Sequence, residues 1–118
     1  MSETVVGDGG EDLPHAVLHP HGDIDAYNAG VFRESLDDLD DVKLLVVILN
    51  DVAFMDSAGL GVLIDGVRQF RDKGGTMVIV CDREPVAKLL RTTGLPIVIG
   101  PITESYKKAL GVLRDSLG

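Results

Sequence analysis

Leu44-Leu45-Val46-Val47-Ile48-Leu49 is an uninterrupted apolar run rich in β-branched residues, the pattern of a strand buried on both faces. Asn50 and Asp51 end it. After a short connection the apolar positions change period and return at Leu60, Leu63, Ile64, Val67 and Phe70, which make one stripe along a helix. That helix starts at Asp56 or Ser57, either of which can accept from the unpaired N–H groups of a first turn. Lys73-Gly74-Gly75 closes it with a C-terminal glycine.

The same alternation recurs on both sides. Downstream, Met77-Val78-Ile79-Val80-Cys81 is a second continuous strand, followed after Pro85 by a helix carrying Val86, Leu89 and Leu90. Ile97-Val98-Ile99 is a third strand, and a last helix over Glu104 to Leu117 turns Tyr106, Ala109, Leu110, Leu113 and Leu117 inward. Upstream, Ala16-Val17-Leu18-His19 reads as a first strand, Gly22-Asp23-Ile24-Asp25 as a loop. Asn28 caps a helix to Leu39 with Val31, Phe32, Leu36 and Leu39 inward. Met1 to Asp12 is Gly- and acid-rich and reads as a mobile tail, with order expected from Leu13 to the end of the chain. Buried strands alternating with helices imply one α/β domain, a mixed, mostly parallel sheet of roughly four to five strands covered by about four helices.

Composition narrows the function. A chain of 118 residues suits one hydrophobic core. Its formal net charge of −8 argues against nucleic acid and against an anionic membrane surface, and favours a basic patch on a protein partner. The single cysteine, Cys81, excludes an internal disulfide framework and fits a cytoplasmic location; lying in an apolar strand, it reads as a small hydrophobe. No apolar segment approaches the roughly 20 residues that span a bilayer.

Asp56-Ser57-Ala58-Gly59-Leu60-Gly61 is the stretch that carries chemistry. A helix N-terminus presents N–H groups and partial positive charge, so a phosphate on Ser57 is held there better than at mid-helix. The plainer alternative is that Asp56-Ser57 is only a cap and that Gly59 and Gly61 allow helix and sheet to pack closely. A serine hydrolase with His15, His19 or His21 as base lacks the Gly-x-Ser-x-Gly elbow. A metal site from those histidines lacks an adjacent carboxylate or cysteine at ligand spacing, and Pro20 interrupts them. The Asp37, Asp38, Asp40 and Asp41 cluster reads as a solvated turn, and there is no phosphate-binding loop for nucleotide hydrolysis. The expectation is a binding domain rather than an enzyme, without cofactor or metal.

The motifs Gly22-Asp23-Ile24-Asp25, Asp56-Ser57-Ala58-Gly59-Leu60-Gly61 and Arg91-Thr92-Thr93-Gly94-Leu95, with the order of elements, resemble the STAS domain family, in particular the free-standing bacterial anti-sigma factor antagonists. The resemblance runs from about Ala16 to Leu113. It implies that Ser57 is phosphorylated by an anti-sigma factor that is itself a serine kinase. It also implies that a metal-dependent serine/threonine phosphatase removes the mark, and that only the unphosphorylated form binds the anti-sigma factor and frees a sigma factor. Ala58 stands where the family often has a second hydroxyl, which leaves Ser57 as the acceptor; Tyr27-Asn28 departs from the small pair usual there.

Helical spacing puts Ser57, Gly61 and Asp65 on one face, opposite Leu63, Ile64 and Val67. Gly59 and Gly61 cost about 1 kcal/mol each in helix propensity, which suggests a partner backbone coming close, with Val62 as an apolar contact. Asp56 is either a charge needed during phosphoryl transfer or the cap alone. Asp23 and Asp25 either contact the kinase or serve turn chemistry. The other reading of such a domain is a STAS-type scaffold or sensor, stressosome-like or part of a transport complex, without a phospho-switch.

Overall fold

The computed structural model describes the backbone of residues 4–7 and all of residues 15–92 and 102–116. In chain order the elements are β1 (Thr4–Gly7), β2 (His15–Leu18), β3 (Gly22–Ile24), α1 (Ala29–Asp37), β4 (Leu44–Ile48), β5 (Val52–Met55), α2 (Ser57–Asp72), β6 (Thr76–Val80), α3 (Val86–Thr92), β7 (Ile102–Thr103) and α4 (Tyr106–Ser116). Among the described residues the main sheet has five strands in the order β1-β2-β4-β6-β7. β1 pairs antiparallel with β2, and the remaining neighbours are parallel.

Strand β4 shows why its run is apolar throughout. Leu45, Val47 and Leu49 enter a core shared with α1, α2 and α3, whereas Leu44 and Val46 enter a second core under α4, built on Ala109, Leu110 and Leu113. Successive side chains point to opposite faces of a strand, and here both faces are covered by helices. Helix α2 is held at both ends. Asp56 caps its start. At its end Gly74, at φ +81°, and Gly75 donate to Arg71 O (3.0 Å) and Phe70 O (2.7 Å), a Schellman closure.

Four expectations change. Thr4–Gly7 is not tail but an edge strand, registered Thr4↔Leu18 through Gly7↔His15; the backbone bonds of β2 supply order that the side chains of a short Gly-flanked segment do not signal. Gly22–Ile24 is a strand rather than a loop, pairing in parallel with β5 as a separate two-stranded sheet. The connection after Asp51 is that strand β5. Val31 faces solvent, 49% exposed, while Ala29 takes the inward position beside Phe32 and Leu36. Ile97-Val98-Ile99, Thr93-Gly94-Leu95 and Leu117 lie outside the described residues.

Cys81 is buried, and burial pushes its thiol above the ordinary range, in keeping with a small hydrophobe. Among the described residues no helix is long and apolar enough to cross a membrane.

Candidate functional site

The β3-β5 pair builds the site. Its register brings Ile24 opposite Met55, so the residues that follow each strand, Asp25 and Asp56, emerge side by side. Asp56 N–H donates to Ile24 O (3.2 Å), and the Asp56 carboxylate then ties three backbone donors together. Oδ1 accepts from Ala58 N (2.9 Å) and Gly59 N (3.2 Å), and Oδ2 accepts from Ala26 N (3.1 Å) in the facing loop. One side chain therefore caps α2 and fastens the Asp25–Asn28 turn to it.

That turn is stitched internally. Asp25 Oδ1 accepts from Tyr27 N (3.0 Å), Asn28 Oδ1 accepts from Asp25 N (2.9 Å), and Asn28 Nδ2 donates to Asp23 O (2.7 Å). Asn28 occupies the N-cap position of α1 but makes no side-chain cap bond to that helix, because its amide is spent on the loop. Asp25 thus has its turn role, while Asp23 is exposed to solvent.

Ser57 is the first residue of α2 and is exposed. The Asp56 carboxylate already holds two of the N–H groups of the first turn, and Leu60 N–H bonds Asp56 O (3.0 Å). A phosphate on Ser57 would meet a helix end whose positive character is largely answered and a carboxylate one residue away. The Ser57–Gly61–Asp65 line holds as a face: a Cβ added to Gly61 would meet nothing within 4 Å. Asp65 accepts from Arg33 Nη2 of α1 at 3.0 Å, with both side chains nearly half exposed, so it pairs within the domain.

Two expected partner contacts are core residues instead. Val62 is 3% exposed. Gly59 is buried, and a Cβ there would lie 2.7 Å from Ile24 Cγ2 and 2.9 Å from Ile24 O. The inward line of α2 runs through Gly59, Val62, Leu63, Gly66, Val67 and Phe70, leaving Leu60 and Ile64 half-buried. Glycine carries no hydropathy signal, so the stripe read from large side chains alone was rotated away from Val62.

Sequence reasoning missed two exposed aromatic side chains: Tyr27, in the loop that Asp56 holds, is 98% exposed, and Phe54, which lines a surface pocket with Pro85, Val86 and Leu89, is 47% exposed. Tyr27 lies in a loop read only as a family departure, and Phe54 in a segment not recognised as a strand, where the register shift that skips Ala53 breaks the alternation with the buried Val52. The histidines take no part. His15 is buried and bonds the Tyr106 hydroxyl, and His19 and His21 face Asp51. Strand β5, spanning about 10 Å, separates Asp51 from the end where Ser57 lies.

If the Asp56 carboxylate organises both loop and helix, Asp56→Ala should destabilise by about 2 kcal/mol, at the upper end for a lost cap because the Ala26 bond goes with it. Chemical denaturation measures this, and Asp56→Asn should recover part of the loss.

The fold and the site define a class: a small mixed-sheet α/β domain presenting one exposed serine at a carboxylate-capped helix start, beside a loop that carries an exposed tyrosine. Residues 10–109 match the STAS domain family, and the chain belongs to it. It is similar to the anti-sigma-B factor antagonist of Bacillus subtilis (strain 168), 37% identical over 79 residues that cover 66% of this chain and 72% of that protein. With the anti-sigma F factor antagonist of Paenibacillus polymyxa it shares 32% identity over 101 residues, 83% of this chain and 86% of that one. Among solved structures, an anti-sigma factor antagonist from Mycobacterium paratuberculosis has the same fold, with a TM-score of 0.82 at 24% identity over 98% of this chain and 96% of that chain.

Proposed function

We propose that this STAS domain is an anti-sigma factor antagonist switched by phosphorylation of Ser57. Unphosphorylated, it binds an anti-sigma factor of the serine-kinase type and so releases a sigma factor; the phosphorylated form does not bind. A serine/threonine phosphatase restores the active form, and such partners place the protein in the cytoplasm. The observation that carries the reading is the exposed Ser57 beside the Asp56 carboxylate, in a chain similar to antagonists of two anti-sigma factors.

The binding face consists of Asp23, Asp25, Tyr27, Ser57 and Gly61, with Phe54 at its edge. The acids suit a basic partner, in line with the net charge of −8. Tyr27 is the apolar anchor: tyrosine supplies a large contact area at low entropic cost. Open space above Gly61 lets a partner come near the helix backbone. Asp56 acts through its cap, holding Ser57 and the Asp25–Asn28 turn in one geometry.

Incubation with serine-kinase anti-sigma factors and ATP, followed by intact-mass measurement, should add one phosphate to the wild type and none to Ser57→Ala. A wild type that stays unmodified while it still binds would shift the assignment to a scaffold or sensor role.

A further inference from the structure

The topology gathers a cluster that the sequence separates. His19 and His21 follow β2, whereas Asp51 lies in the turn between β4 and β5, and one ligand atom from each falls within 4.8 Å of the others. The carboxylate that the histidines lack in sequence is thus delivered by the fold. Asp51 Oδ2 is 2.7 Å from His19 Nε2 and 3.6 Å from His21 Nε2, and the two rings stand 4.7 Å apart at 51°. Despite that short separation, His19 Nε2 has no aligned hydrogen-bond partner among the described residues and is closed off from solvent. Asp51 O also accepts from Gly22 N (3.1 Å), so a backbone bond links the two loops independently of the side chains.

We propose that His19, His21 and Asp51 form a binding site for a divalent transition-metal ion of the zinc or nickel class. Two imidazoles and one carboxylate are a common donor set for such ions. Ligand atoms about 2.0–2.1 Å from a tetrahedral ion stand roughly 3.3 Å from one another, so small side-chain rotations bring the observed separations to that value. The ion would give the unsatisfied His19 Nε2 a partner and leave a coordination position for water. His21 and Asp51 are about half exposed, so the ion enters from solvent on their side, and a small rotation of these side chains opens the enclosed His19 Nε2 to it. It would clamp the entry of β3 to the entry of β5, the strands whose other ends lead to Asp25 and Asp56.

Isothermal titration of untagged full-length protein with zinc chloride, and separately nickel chloride, tests this. One ion per chain is expected, and magnesium should give no comparable binding. His21→Ala and Asp51→Asn should each weaken affinity at least tenfold while circular dichroism shows the fold retained. Should Asp51→Asn fail to fold, His21→Ala, altering an exposed side chain, decides alone. Absence of saturable binding would reduce the cluster to a surface ion pair and overturn the proposal. Undiminished affinity in His21→Ala would place the ion elsewhere and do the same.

Discussion

Gly59→Ala is expected to lower the melting temperature by about 8 °C, whereas Gly61→Ala, two residues along the same helix, should raise it by about 3 °C. Both substitutions gain helix propensity worth about 1 kcal/mol. At Gly59 that gain is overwhelmed, because the added carbon would lie 2.7 Å from Ile24 Cγ2, 2.9 Å from Ile24 O and 2.9 Å from Met55 Cγ. One of these atoms is backbone in the β3-β5 sheet, and the side chains are 0% and 5% exposed, so relief requires α2 to move off its support. Overpacking of this kind costs about 1–3 kcal/mol or more, and a domain of this size loses about 4 °C per kcal/mol. At Gly61 a methyl group meets nothing within 4 Å. Calorimetric melts of the two variants report the sign directly. Gly61→Ala should also weaken partner binding although it stabilises the fold, a combination that separates a binding role from a structural one.

Ser57→Asp should bind the anti-sigma factor about a hundredfold more weakly than wild type, and Ser57→Ala about as tightly. A hundredfold corresponds to about 2.7 kcal/mol. The introduced carboxylate stands next to Asp56, whose own oxygens are engaged by Ala58, Gly59 and Ala26 and so cannot turn away without breaking the cap. Two unit charges 4 Å apart repel by about 1 kcal/mol in water and about 4 kcal/mol at an effective dielectric constant of 20, so an interface that excludes water raises their repulsion by about 3 kcal/mol and adds desolvation. Surface plasmon resonance measures the effect. Equal affinity of the two variants would remove repulsion as the mechanism.

The layers of the fold were legible where patterning is strong. The apolar run over Leu44 to Leu49 identified a strand covered on both faces, and the stripe ending at Phe70 identified α2 with its cap and glycine closure. What escaped is short and depends on pairing. Gly22–Ile24 and Val52–Met55 carry too few residues for a period to show, and each becomes a strand through the other. The same limit explains the site. Asp56 and Ser57 were visible because caps have a local signature, whereas Val62 and Gly59 changed role once the angular position of α2 was known. Tyr27 and the meeting of Asp51 with His19 and His21 depend on how the chain turns, which residue spacing does not encode.

The most direct measurement is the affinity of the anti-sigma factor for the wild-type protein carrying one phosphate on Ser57, beside that of the unmodified protein, by calorimetric titration. A dianionic phosphate beside Asp56 exceeds the charge of an aspartate substitution, so the expected result is tight binding of the unmodified form and loss of at least two orders of magnitude on phosphorylation. Equal affinity of the two forms would contradict a switch at this helix end.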